Sequence, residues 1–134
     1  METKLKSLIS RAADQEAKTG IQGHPALTAY QLLQKGKEGS LHLRITLDEI
    51  EPGGGIDPHY HTDFPPFDHA YYVISGDIVV SLEGQTQKVG TDSLIYCHSD
   101  VTHSITNVGK NKAKVLVIKA ASDGAGQGKA VYCT

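Results

Sequence analysis

The chain has 134 residues, 39% of them hydrophobic and 21% charged, with a formal net charge of −2. That length suits one domain around a single core. The small negative charge gives no electrostatic reason to expect nucleic acid or an anionic membrane as a partner. No apolar run approaches the length of a bilayer-spanning segment.

The opening "METKLKSLISRAADQEAKTG" is too charged, and its apolar stretch too short, for a secretory signal. A cytoplasmic location is therefore expected. Within residues 4–18, Leu5, Leu8, Ile9, Ala12 and Ala13 share one helical stripe, and Gly20 follows as a stop signal. A short N-terminal helix is expected inside residues 1–20.

After Gly20 the pattern changes to short β runs separated by turn residues. "LTAYQLL" precedes "KGKEGS", and "LHLRITLDEI" alternates Leu41, Leu43, Ile45 and Leu47 with polar partners until "EPGGG" breaks it. "AYYVI", "IVVSLE", "SLIYC", "HSITN" and "AKVLVIKA" follow, each bounded by glycine or polar turns. Such a series argues for an antiparallel sandwich or barrel. The glycine-rich stretch from Ser122 to Lys129 reads as a flexible tail, and "AVYCT" as an edge strand or a segment pairing with another subunit. Cys97 and Cys133 make no disulfide framework, and reduced thiols are the expectation in the cytoplasm.

The chemistry concentrates in "GGGIDPHYHTDFPPFDHAYYVISG". Side chains at i and i+2 of a strand share a face, so His59 and His61 converge while Tyr60 points away. Counting back from Gly76, positions 75, 73, 71 and 69 share a face, which places His69 with Tyr71 and turns Asp68 outward. "HSITN" supplies His103, with Ile105 and Asn107 on its face. Four imidazoles from three strands can thus meet, a donor set suited to zinc, copper, iron or nickel, with manganese also left open. One divalent transition metal is the expected cofactor, with His59, His61, His69 and His103 as its ligands. The rivals for the fourth position are Asp63, swinging in from the loop, and Asp68, which requires a one-residue slip or a bulge. His98 reads as a surface or rim residue, and His24 and His42 as structural.

These residues also carry a resemblance. "GGGIDPHYH…HAYYVISG" resembles the first sequence motif of the cupins, with five residues between Gly53 and His59 and six between His69 and Gly76. "GTDSLIYCHSDVTHSITN" is similar to the second, through Gly90, His103 and Asn107. The resemblance spans roughly residues 40–120 and implies one cupin domain over residues 1–134: an all-β, antiparallel, double-stranded β-helix or jelly-roll-like barrel with a short N-terminal helix. Three departures stand out. The Phe64-Pro65-Pro66-Phe67 insert lengthens the first spacer. Tyr96 and His98 occupy the usual Pro and Gly positions, and the following loop is two residues longer. His69 stands where the family usually has a glutamate ligand.

Four neutral imidazoles leave a divalent ion its full charge, which favours anionic, chelating ligands. Two adjacent oxygens, as in a keto acid, diketone or enediol, suit the positions left open on such an ion. Tyr71 is the candidate catalytic residue, as donor or general acid, or else a buried tyrosine with its hydroxyl satisfied. Phe64 and Phe67 form either a pocket lip or a plug at the barrel mouth. The functional expectation is a metal-dependent enzyme on a small oxygen-rich metabolite, of oxygenase (dioxygenase-like) or isomerase/lyase type. The alternative is a non-catalytic small-ligand-binding or sensor protein. Family resemblance further implies a homodimer, with the N-terminal segment contributing to the contact.

Overall fold

The structure, a computed structural model, describes residues 7–34, 39–64, 66–121 and 130–133. The β-branched and aromatic runs form strands β1 (Leu27–Leu33), β2 (Leu43–Ile50), β3 (Gly55–His61), β4 (Asp68–Ser75) and β5 (Ile78–Leu82). They continue as β6 (Gln85–Val89), β7 (Ser93–His98), β8 (His103–Asn107), β9 (Ala113–Ala120) and β10 (Ala130–Tyr132). Two five-stranded antiparallel sheets result, in the orders β1-β2-β9-β4-β7 and β10-β3-β8-β5-β6. Ile50, Tyr71, Val73, Ile95 and Val115 from the first sheet pack with Ile56, Ile78, Val80 and Ile105 from the second in one core. This is the all-β architecture expected.

The N-terminal helix is not formed in the described part of its expected range. Residues 7–18 hold only a 3-10 turn, Ala12–Asp14. Leu8 and Ile9 of the proposed stripe are exposed, at 47% and 87%. A short helix without a surface to bury its apolar face is marginal in water. Lys18 instead exchanges two backbone hydrogen bonds with Ala29 of β1. Leu5 lies outside the described residues. So does the stretch 122–129, beyond which Ala130–Tyr132 pairs as an edge strand with His61–His59 of β3. Among the described residues, no helix is long and apolar enough to cross a membrane.

Two local features aim the site. Between β3 and β8 the pairing runs Ile56↔Ile105 and then His59↔His103, so β3 carries one extra residue, a bulge at Asp57–Pro58. Proline has no N–H to give to a ladder, so a bulge accommodates it. The extra residue shifts the phase of the strand, and Ile56, His59 and His61 all become buried while Asp57 and Pro58 face out. Just before it, Gly55 is held so close to β8 that a Cβ there would lie 2.0 Å from the Ile105 carbonyl oxygen. The two motifs meet at this corner: Gly53 N–H donates to the Asn107 carbonyl at 2.9 Å, and Asn107 N–H donates to that of Gly54 at 2.8 Å. The Asn107 side chain donates to the carbonyls of Ile50 and Asn111 and accepts from Gly109 N–H, a purely architectural role.

Candidate metal centre and its cavity

His59 and His61 on β3, His69 on β4 and His103 on β8 are all buried. The ligand nitrogens of His59, His61 and His103 lie within 4.8 Å of one another. His69 joins them through His103, with ring centroids 4.9 Å apart, and through His61, at 5.3 Å. A ligand nitrogen of His69 also falls within 4.8 Å of one on His103 and of the Cys97 sulfur.

The ring orientations are set from behind. His59 Nδ1 sits 2.7 Å from the Asp57 carbonyl oxygen and His103 Nδ1 sits 2.8 Å from that of Val101. A carbonyl only accepts, so each Nδ1 carries the proton and each Nε2 keeps its lone pair. His69 Nδ1 is 3.7 Å from Cys97 Sγ, a weaker contact of the same kind. The Nε2 atoms of His61, His69 and His103 are buried without any hydrogen-bond partner. Orphaned polar atoms on this scale are rare in a folded interior. Three of them on neighbouring imidazoles fit a divalent transition metal. When bound, such an ion supplies a Lewis-acidic centre that polarises a ligand's carbonyl or enol oxygens.

The imidazoles are in the right state for this role. Burial pulls His59 down to about 4, His61 to about 3, and lowers His69 and His103 as well. The Lys119 ammonium lowers all four further. All are therefore neutral near pH 7, as ligation requires. Burial pushes the Cys97 thiol up to about 12, so it is a neutral neighbour of His69 rather than a thiolate.

The β4 register places His69, Tyr71 and Val73 inward and Asp68 outward. Asp68 accepts a hydrogen bond from the Tyr96 hydroxyl on the outer face, at 2.6 Å. Asp63 is buried on the cavity wall but belongs to neither group of mutually close ligand atoms. His98 is exposed, 3.8 Å from Asp100. His24 and His42 both line the cavity, each with Nδ1 on a backbone carbonyl oxygen. Within the Phe-Pro-Pro-Phe insert the two rings part company. Phe67 is buried with its ring 5.2 Å from His61 and 5.7 Å from His69, whereas Phe64 is 91% exposed. Phe67 is a wall of the pocket. Tyr71 is buried with its ring 4.7 Å from His69, and burial holds its phenol well above the usual range. Its hydroxyl therefore keeps its proton near neutral pH.

His59, His61 and His69 line a cavity of about 400 Å³. Much of the remaining wall comes from the inner face of the first sheet, whose side chains stand in rows of cross-strand partners. Arg44, Lys119, His69 and Cys97 make one row; Gln31, Thr46, Val117, Tyr71 and Ile95 the next; Ala29, Asp48, Val115 and Val73 the third. The Leu43, Ile45 and Leu47 set of β2 therefore lies on the outside, and its polar partners Arg44, Thr46 and Asp48 face the cavity. Asp48 and Lys119 are thus absent from the candidates read in the sequence. One signal was present: Ile50, fully buried, is out of phase with Leu47 and in phase with Asp48. Burial raises the Asp48 carboxyl to about 7, against the pull of Lys119. Burial also lowers Lys119, whose ammonium stands 5.7 Å from the centre of the Phe67 ring.

Comparison with known proteins agrees with this architecture. The family model described as a cupin domain matches residues 46–119. The tetracenomycin polyketide synthase protein TcmJ of Streptomyces glaucescens is 32% identical over 69 residues, 51% of this chain and 44% of that protein. The polyketide synthase CurC of Streptomyces cyaneus is 31% identical over 67 residues, 50% of this chain and 42% of that protein. The match thus spans less than half the length of these curated relatives. Among solved structures, the polyketide cyclase RemF from Streptomyces resistomycificus superposes with a TM-score of 0.75 at 20% identity, over 96% of this chain and 88% of that one. KdgF from Halomonas sp. superposes with a TM-score of 0.69 at 14% identity, over 88% and 97%. At such identities the shared property is the fold. With two facing antiparallel sheets, both motifs in order and more than half of its length matched, the chain belongs to the cupin family.

Proposed function

We propose that this protein is a metal-dependent enzyme. Its ligands are His59, His61, His69 and His103, and its substrate is a small polycarbonyl molecule bound through two adjacent oxygens. The observation that carries this reading is three neighbouring imidazoles, His61, His69 and His103, whose Nε2 atoms are buried and partnerless, with His61 and His69 lining the cavity. The cavity size suits a small metabolite. The two similar Streptomyces proteins are named for polyketide synthesis and RemF is a polyketide cyclase, which favours poly-β-carbonyl substrates and isomerase- or cyclase-type proton transfers. Tyr71 fits beside the metal as an O–H donor, holding its proton on an enol or enolate oxygen. Phe67 excludes water from one side of the site.

The test is elemental analysis of native protein, followed by chelation and readdition of Fe, Mn, Ni, Zn and Cu one at a time. A metal that binds the native state raises its thermal midpoint. Loaded protein is then offered 1,3-dicarbonyl compounds, with product formation and dioxygen uptake both followed. Turnover without dioxygen uptake is expected. Protein free of metal and unresponsive to all five ions rejects the reading. Ligand-induced stabilisation without turnover reassigns the pocket to sensing or storage.

We further propose that the chain acts as a homodimer in the cytoplasm. The outer face of the first sheet presents continuous apolar rows, Ile45–Ile118–Ala70–Tyr96 and Leu47–Leu116–Tyr72–Leu94, with Leu94 64% and Tyr96 49% exposed. Contiguous apolar surface of this kind ordinarily marks a contact with another chain.

A further inference from the structure

On the cavity wall formed by the first sheet, away from the His69 row, stands Asp48. Its row is the third along the sheet, two strands across from His69. The residue is 3% exposed and lines the cavity. Among the described residues its side chain makes neither a hydrogen bond nor an ion pair. Lys119 and Tyr71 lie near enough to interact with it electrostatically, and neither donates to it. Buried carboxylates in folded proteins are paired or hydrogen-bonded as a rule, because a bare one loses its hydration without replacement. The Asp48 oxygens are not among the fully buried partnerless atoms; they open on the cavity, and its contents can supply the donor.

We propose that Asp48 is a specificity residue that accepts a hydrogen bond from a hydroxyl of the ligand. The pocket then takes a molecule with two adjacent oxygens at one end and an enolic or phenolic hydroxyl at the other. This rests on the reading that the histidine end chelates paired oxygens. Gln31 and Thr46 flank Asp48 on the same wall and extend the polar patch, while Ala29 and Val117 beside them leave the carboxylate as the strongest acceptor there. Hydroxyl donation favours the ionised carboxylate and offsets the burial that raises Asp48. A site built to hydrogen-bond a hydroxyl discriminates strongly against an analogue that lacks it, because the buried acceptor is then left bare.

The experiment uses metal-loaded, full-length protein and calorimetry with four probes. 2′-Hydroxyacetophenone carries the chelating oxygen pair alone. The 2′,4′- and 2′,5′-dihydroxy compounds add a distal hydroxyl, and 2′-hydroxy-4′-methoxyacetophenone replaces that donor by an ether. At least one dihydroxy probe is expected to bind about tenfold or more tightly than the parent, with the methoxy probe no better than the parent. In Asp48→Leu the preference disappears while the parent binds as before. Equal affinities for all four probes on the wild-type protein overturn the proposal, whether or not Asp48→Leu folds. A preference that survives in folded Asp48→Leu overturns it too. If the parent probe itself does not bind, the chelating reading of the histidine end fails first, and the role of Asp48 falls with it.

Discussion

His59 and His103 face each other directly across the β3–β8 pair, their ring centroids 4.2 Å apart, and each ties its Nδ1 to the carbonyl two residues before it. The arrangement is the same on both strands. A backbone carbonyl selects the tautomer and leaves each Nε2 with its lone pair, and the ligand nitrogens of the two rings lie within 4.8 Å of each other. The bulge at Asp57–Pro58 makes the pairing work, because it brings His59 rather than Pro58 into phase with the core.

The β4 register turns His69 inward, toward the other histidines, and Asp68 outward. His69→Ala should weaken metal binding roughly a hundredfold or more, exceeding what loss of an outer hydrogen-bond partner does. Asp68→Ala and His98→Ala should leave it nearly unchanged. His69→Glu should retain the metal while its added negative charge weakens anionic ligands. Competition titration against a chelator reads all four. Loss of metal in Asp68→Ala with retention in His69→Ala rejects the assignment.

Asp48 makes stability depend on pH in a definite direction. Its carboxyl is raised from 3.8 to about 7, so the folded state holds a proton that the unfolded state has released between those values. The stabilisation is full below the unfolded value and is lost as pH rises through about 7. Asp48→Asn removes this term and leaves the histidines untouched. Relative to wild type, the metal-free variant should therefore gain about 2–4 kcal/mol between pH 4 and pH 8. Denaturant melts at the two pH values measure it. A variant-to-wild-type difference that stays constant with pH counts against a buried, donorless carboxylate.

Gly55 should resist any side chain. A Cβ at that position meets the Ile105 carbonyl oxygen at 2.0 Å, and backbone cannot rotate away as a side chain can. Gly55→Ala should destabilise by about 1–3 kcal/mol and should weaken metal binding as well, since the same strand pair carries His59 and His103. A variant with wild-type melting and wild-type metal affinity contradicts the close approach of β3 to β8.

Assembly is checked by light scattering at micromolar concentration. A homodimer mass is expected, and Leu94→Asp on the outer apolar rows should shift it to the monomer with metal content unchanged. A wild-type protein that is strictly monomeric removes the proposed contact.

Much of the barrel was legible in the sequence. Where a strand has one apolar face and the chain turns at glycine, periodicity alone placed β1, β8 and β9 at their observed limits. The inward face of His69 and Tyr71 followed from counting back from Gly76. Periodicity is silent where neither face is apolar. Gln85–Val89 is an exposed edge strand held by its pairing with β5, and nothing in "QTQKV" announces it. It misleads where the buried face is a polar cavity. In β2 the apolar set lies outside and Arg44, Thr46 and Asp48 lie within, because the first sheet walls a pocket on its inner side and presents apolar rows on the other. The N-terminal stripe had helical spacing but no surface to bury it, so pairing of Lys18 with β1 prevailed. Which residue types lie along each strand was a property of the chain. Which face met the cavity, and what stood opposite across it, depended on contacts between strands far apart in sequence, and those exist only once both sheets are in place.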